Sequence, residues 1–158
     1  MNKLHKLLFF FLILVILGVA IYSQGLVKSY QEYLKAETMF RRAQNGDPRA
    51  QNRLGQWYLK GEGVPKNDHE AIKWFRMAAN QKFSKAQYNL GKMYYEGQGV
   101  PRDYVLAYLW FNLGSLNTTG EDNTATIKHL KKLEEIMTPE QIYEAQRLSR
   151  EWKPKERN

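Results

Sequence analysis

The pattern of hydrophobic and polar residues divides the chain into two parts. Residues 7–22 are almost entirely apolar, and no formal charge lies between Lys6 and Lys28. A helix over these 21 uncharged residues is about 31 Å long, enough to cross the hydrocarbon core of a membrane. Beyond Lys28, apolar residues recur at intervals of three and four, which is the pattern of amphipathic helices. The chain is therefore predicted to be all-α, with an apolar N-terminal helix before a folded domain.

The apolar segment has features of both an export signal and a membrane anchor. Basic residues precede it, and Gly18 and Ala20 are small enough for the −3 and −1 positions of a cleavage site. The run continues to Tyr22, however, which is longer than an ordinary signal core and favours a retained anchor. If it is retained, residues 7–27 cross the inner membrane of a Gram-negative cell and the domain faces the periplasm. If it is removed, the domain is periplasmic or exported.

The folded part contains an internal repeat with a period of 36 residues. Residues 50–75 align with residues 86–111 without an insertion, and twelve positions are identical. In the first unit these positions are Ala50, Gln51, Leu54, Gly55, Tyr58, Gly61, Gly63, Val64, Pro65, Ala71, Trp74 and Phe75. Units of this length stack on their neighbours, because one unit cannot bury its apolar faces alone.

Each unit is predicted to be a pair of antiparallel helices. Asp47 provides an N-cap for the first helix, and Gly61 suits a left-handed cap at its end. Asn67 or Asp68 begins the second helix. Seven aromatic residues at helical spacing are expected in the core rather than in a sugar or cofactor site: Trp57, Tyr58, Trp74, Phe75, Tyr94, Trp110 and Phe111.

Glycine also lies inside the first helix of each unit, at Gly55 and Gly91. There it costs about 1 kcal/mol relative to alanine, so close packing of backbones is expected at these positions.

The flanking residues extend this organisation. Residues 33–45 are predicted to form the second helix of an incomplete preceding unit, and residues 124–137 and 139–152 a closing pair. The predicted division is a signal or anchor at 1–27, a partial repeat helix at 28–49, repeats at 50–85 and 86–121, and a C-terminal capping pair with a polar tail at 122–158. Polar end units keep a stacked array soluble.

The repeated motif resembles that of the Sel1-like repeat family. The residues that carry the resemblance are Ala50, Leu54, Gly55, Tyr58, Gly61, Gly63, Val64, Asp68, Ala71, Trp74, Ala78 and Ala79. The second unit departs from the motif at Tyr104, which replaces Asp68, and at Gly114 and Ser115, which replace the alanine pair. These changes affect capping and spacing. The directly matching part covers about 66 residues.

The resemblance implies an α-α superhelix, or solenoid, related to tetratricopeptide repeats. Proteins of this kind act as adaptors or scaffolds in complexes, often in bacterial envelopes. The first helix of each pair would line the concave face. By this analogy the candidate binding residues are Arg49, Asn52, Gln56, Leu59, Lys60, Lys85, Tyr88, Lys92, Tyr95 and Glu96. This face is basic with aromatic patches and would suit an acidic or extended peptide; ordinary solvated helix positions are the alternative.

The amino-acid composition limits which catalytic and metal-binding sites the chain can form. There are no cysteines, which excludes disulfides and thiolate chemistry. The three histidines lack metal-ligand spacing, and no serine has the context of a nucleophile. We therefore assign no catalytic residues, no metal and no cofactor. The formal charge is +8, which favours anionic neighbours, but the basic residues are scattered and no nucleic-acid-binding module accompanies them.

The sequence thus predicts a protein–protein interaction adaptor of the bacterial envelope and no enzymatic activity. Two alternatives stay open. One is a cell-wall-associated hydrolase or β-lactam-binding protein; the other is an assembly factor for a membrane complex that acts mainly through its N-terminal helix. The identity of the partner and the oligomeric state are undetermined.

Overall fold

A computed structural model describes residues 3–116 and 121–154, with side chains for 13–116 and 123–154. These residues form helices and no strands, as predicted. The helices are α1 (Lys3–Gln44), α2 (Pro48–Lys60), α3 (Asp68–Ala79), α4 (Ser84–Glu96), α5 (Tyr104–Leu116), α6 (Glu121–Ile136) and α7 (Pro139–Glu151). The predicted all-α solenoid class is confirmed. The chain forms two compact units, residues 1–38 and 39–158.

The first unit is the apolar N-terminal helix. Within the described residues, α1 has the length and composition to cross a membrane. Its large apolar side chains are exposed: Val19 is 63% and Ile21 70% accessible to solvent. Exposed apolar surface of this extent is typical of a segment whose environment is lipid or an export channel.

The second unit contains the helices of the repeats, which pack in chain order. Helix α2 packs against α3, α3 against α4, and α4 against α5. Helices α6 and α7 each pack against α5. The large core at the centre is built around the fully buried Phe75, Leu90 and Phe111. A smaller cluster lies at the start of the unit, where Ala43 in the last turn of α1 meets Leu54 of α2.

Capping residues begin and end these helices where the sequence predicts. The Asp47 side chain accepts hydrogen bonds from the backbone N–H groups of Arg49 and Ala50, and Gly61 takes the left-handed conformation (φ 75°) after α2. Asn67, the first of the two candidates, caps α3. Thr138 begins α7 with a complete capping box. These local bonds satisfy backbone groups that a helix leaves without partners at its ends.

The glycines inside α2 and α4 make room for a phenyl ring. A Cβ atom on Gly55 would lie 2.6 Å from the ring of Phe75, and one on Gly91 would lie 2.9 Å from the ring of Phe111. The expected close approach is therefore present, but the prediction of backbone against backbone is wrong: an aromatic side chain of the second helix fills the space. Because the rings are fully buried, they cannot move aside easily.

A buried glutamine joins each repeat to the helix before it. The Gln51 amide donates to the carbonyl oxygen of Ala43 at 3.0 Å, and Gln87, one period later, donates to that of Ala79 at 3.2 Å. Each carbonyl lies in the last turn of a helix, where backbone acceptors lack intrahelical partners. The same amide thus ties successive helices together at both junctions.

Candidate binding face on the first helices

The first helices of successive pairs are neighbours. Asn89 of α4 donates a side-chain hydrogen bond to Asn52 of α2 at 2.9 Å. The imidazole of His129 on α6 contacts the rings of Tyr88 and Tyr95 on α4. Helices α2, α4 and α6 therefore form one row. We use the name first-helix face for the side of α2 and α4 that carries the ten candidate binding residues.

On α2 the candidate residues differ in accessibility. Arg49 and Lys60 are exposed, and Gln56 and Leu59 are half-buried, with Leu59 against the central core. Asn52 is only 7% exposed and its side chain is engaged with α4. The α2 part of the face therefore offers two cationic groups to solvent, above a polar contact that connects the helices.

On α4 the candidates separate into charged and aromatic groups. Lys85, Lys92 and Glu96 are exposed, whereas Tyr88 and Tyr95 are half-buried. Lys92 lies 3.6 Å from Glu96, in an ion pair one helical turn long. Exposed pairs of this kind contribute only about 0.3–0.5 kcal/mol, so Lys92 can exchange its partner at little cost.

An aromatic cluster closes the row between α4 and α6. The His129 ring stacks on Phe111 with a centroid distance of 4.8 Å. It meets Tyr88 and Tyr95 edge-on, each at 5.6 Å. The Nδ1 atom of His129 lies 2.9 Å from the Ala125 carbonyl oxygen, so the Nδ1–H tautomer donates there. The two tyrosines are thus packed, half-buried side chains.

Sequence reasoning missed His129 as a contact of this face, and it missed the lysines beside it. Lys128, Lys131 and Lys132 are exposed on α6. The signal that points to them is the repeat period, since Lys92 lies 36 residues before Lys128. The loop motif that marks the repeats is absent beyond α5, which hid the continuation.

The described residues hold no cluster of metal ligands. No group of three or more His, Asp or Glu side chains that could hold a metal ion occurs among them. A shallow depression of about 360 Å³ lies on α6, and its walls carry three lysines with Thr124, Ile127 and Glu135. The arrangement presents charge and aromatic edges, which are means of recognition.

Comparison with known proteins identifies the repeats. The Sel1 repeat family matches residues 48–83 and 84–117. A protective antigen present in uropathogenic Escherichia coli strains, which has an SLR (Sel1-like repeat) fold, superposes with a TM-score of 0.67 and 38% identity over 72% of this chain and 24% of that protein. A Sel1 repeat protein from Oxalobacter formigenes superposes with a TM-score of 0.52 and 28% identity, over 63% and 45% respectively. No curated protein gave a significant match.

The chain spans about a quarter of the first structure's length and less than half of the second's. Sel1 repeats generally mediate protein–protein interactions, and proteins that contain them are typically not enzymes. Both matched units coincide with the helix pairs α2–α3 and α4–α5. The family match, the shared fold and the repeated motif agree: this chain is a Sel1-like repeat protein.

Proposed function

We propose that the chain is an interaction adaptor of the bacterial cell envelope that binds a partner protein through its first-helix face. The N-terminal helix either anchors it in the inner membrane with the repeats in the periplasm, or directs its export. The length and apolar composition of α1 support this location.

One observation carries the binding role. The Asn52–Asn89 hydrogen bond holds α2 and α4 edge to edge, while Arg49, Lys60 and Lys92 stay exposed along the same helices. A surface that spans two helices and carries cationic groups is suited to an acidic or extended segment of a protein.

Site-specific crosslinking in cells tests the face. A photoreactive amino acid at Gln56 should capture a partner, and the same amino acid at Lys73, an exposed position on the second helix α3, should not. The captured protein is then purified, and its affinity is measured for the chain and for the Arg49→Glu/Lys92→Glu variant. We expect the charge reversals to weaken binding about tenfold or more, because two attractive contacts become repulsive.

The matched control is Lys73→Glu/Arg102→Glu, which changes the net charge equally on other elements. Equal capture from both crosslinking positions, or equal loss of affinity in both variants, would contradict a role for the first-helix face.

Replacing residues 1–27 with an unrelated membrane anchor separates this proposal from an assembly factor that acts through its N-terminal helix. If the repeats carry recognition, capture from Gln56 continues after the exchange. Loss of capture with the repeats still folded would transfer the function to the N-terminal segment.

A further inference from the structure

Helix α6 carries a second basic surface, which we call the α6 lysine surface. It surrounds the shallow depression of about 360 Å³. Its members are exposed residues at helical spacing on one side of the helix: Thr124, Ile127, Lys128, Lys131, Lys132 and Glu135.

The three lysines of this surface differ from most lysines of the repeats in having no ionic partner. Lys60, Lys66, Lys73 and Lys92 each lie beside a carboxylate. Lys128, Lys131 and Lys132 make no ion pair within the described part of the chain. These three cations outnumber the two glutamates that follow them, Glu134 and Glu135, so the local potential stays positive and attracts anionic groups.

The contacts of His129 place this surface beside the first-helix face. Lys132 lies three residues after His129, one turn along the same helix, and so begins near the ring that touches α4. Lys128 is the equivalent, one repeat period later, of Lys92. On α4, Lys92 lies four residues after Tyr88 and three before Tyr95, on the same side of the helix. Lys92 of α4 and Lys132 of α6 therefore each lie one helical turn from the aromatic cluster that joins the two helices.

We propose that the α6 lysine surface extends the first-helix face and binds an acidic segment of the partner protein. This inference rests on the proposed function and names the chemistry of the partner. Carboxylates of the segment pair with Lys128, Lys131 and Lys132, and an apolar side chain between them covers Ile127, which is 42% exposed. The mixture of lysines and an exposed isoleucine within a depression complements acidic residues interspersed with apolar ones.

Two labelled peptides of equal charge serve as probes for the full chain, which is held in phosphatidylcholine nanodiscs so that the lipid carries no net charge. One peptide alternates glutamates with leucines, and the other has serines in place of the leucines. Fluorescence anisotropy gives each affinity. We expect the leucine peptide to bind more tightly, and we expect Ile127→Ser to remove most of that difference.

The triple variant Lys128→Glu/Lys131→Glu/Lys132→Glu should bind the leucine peptide at least about tenfold more weakly. The matched variant Arg102→Glu/Arg150→Glu/Lys153→Glu has the same net charge and should change affinity less than about threefold, since remote charges are screened at physiological salt. Equal losses in the two triple variants would show that only net charge matters and would overturn the proposal.

Three further outcomes complete the test. If Arg49→Glu/Lys92→Glu weakens binding while the α6 variant does not, this inference fails and the proposed function stands. If neither variant weakens binding, both fail. If phosphatidylglycerol nanodiscs protect the three lysines from acetylation and the peptide does not, the α6 lysine surface belongs to a membrane and the proposal is wrong.

Discussion

At the scale of single residues, glycine and phenylalanine occupy shared space between paired helices. Gly55 is in the interior of α2, where helix propensity favours alanine by about 1 kcal/mol. The ring of Phe75 fills the space that a side chain on Gly55 would occupy, and the same pair recurs as Gly91 and Phe111. Fit rather than propensity therefore determines the residue at these two positions.

The fit can be measured with Gly55→Ala. Because the new Cβ would lie 2.6 Å from a fully buried ring, overpacking of about 1–3 kcal/mol outweighs the gain in helix propensity. We expect a net loss in the free energy of unfolding, measured with denaturant in detergent micelles.

Gly91→Ala is the internal comparison, since its Cβ has slightly more room at 2.9 Å and should cost less. Gly55→Ala/Phe75→Leu should recover part of the loss. A stabilised Gly55→Ala variant would contradict the account of this contact.

At the scale of elements, the start of α2 is linked to the end of α1. The Arg42 guanidinium donates hydrogen bonds to the Asp47 carboxylate, which also caps α2. The hydrogen bond from Arg42 is the main cause that holds the pKa of Asp47 below its usual value, and the backbone N–H groups of α2 act in the same direction. One carboxylate thus serves two helices.

Asp47→Asn isolates the charge, because asparagine caps a helix about as well as aspartate. The pKa of Asp47 is lower in the folded than in the unfolded chain, so its charge stabilises the fold above about pH 4. That stabilisation is lost as the pH falls through the folded pKa. We expect the variant to be less stable at pH 7 by under about 1 kcal/mol, with the difference shrinking as the pH falls below about 4.

Unfolding curves at pH 7 and pH 2 measure this difference. Asp47→Ala should lose about 1 kcal/mol more than Asp47→Asn at both values, since the cap is lost as well. A constant gap between the original chain and Asp47→Asn across this pH range would be inconsistent with the ion pair.

The imidazole of His129 connects helix α6 to α4 in the row of first helices. His129→Ala removes ring contacts to Tyr88, Tyr95 and Phe111, so we expect a loss of about 1–3 kcal/mol and faster hydrogen exchange in α6. His129→Phe keeps an aromatic ring and should restore most of the protection. Unchanged exchange in the alanine variant would mean that α6 is held by its other contacts.

At the scale of the whole molecule, capping residues and the repeat period predicted the fold well, but they predicted the contacts of the first-helix face only in part. The caps at Asp47 and Asn67 depend on neighbours in the sequence, and the repeat period revealed the stacking. The packing of Tyr88 and Tyr95 under His129 was not predictable, because it depends on where α6 lies after the motif ends. The Asn52–Asn89 hydrogen bond was also not predictable, because it joins positions that are not equivalent in the two repeats.

In a stacked array each unit contacts only its neighbours. The number of helices that lose hydrogen-exchange protection should therefore depend on where a destabilising substitution is made. Leu54 and Leu90 are equivalent and fully buried, but Leu90 belongs to the central core and Leu54 to the small cluster. Each change to alanine should cost about 2–5 kcal/mol. Hydrogen exchange should show reduced protection from α3 to α5 in Leu90→Ala, and chiefly in α2 in Leu54→Ala.

The same leucine-to-alanine change is therefore expected to reduce hydrogen-exchange protection in different helices at the two positions. If both variants lose protection equally in every helix of residues 39–154, the repeats unfold as a single cooperative unit and the stacking account needs revision.

The paired glutamines have a consequence for how such a chain lengthens. The side-chain amides of Gln51 and Gln87 each donate a hydrogen bond to a carbonyl oxygen eight residues earlier, in the last turn of the preceding helix. A duplicated stretch of 36 residues inserted between them would bring its own amide and its own acceptor, leaving both seams chemically unchanged. Growth by whole modules therefore needs no compensating mutation at the splice, whereas an insertion between Ala79 and Gln87 would separate that buried amide from its acceptor.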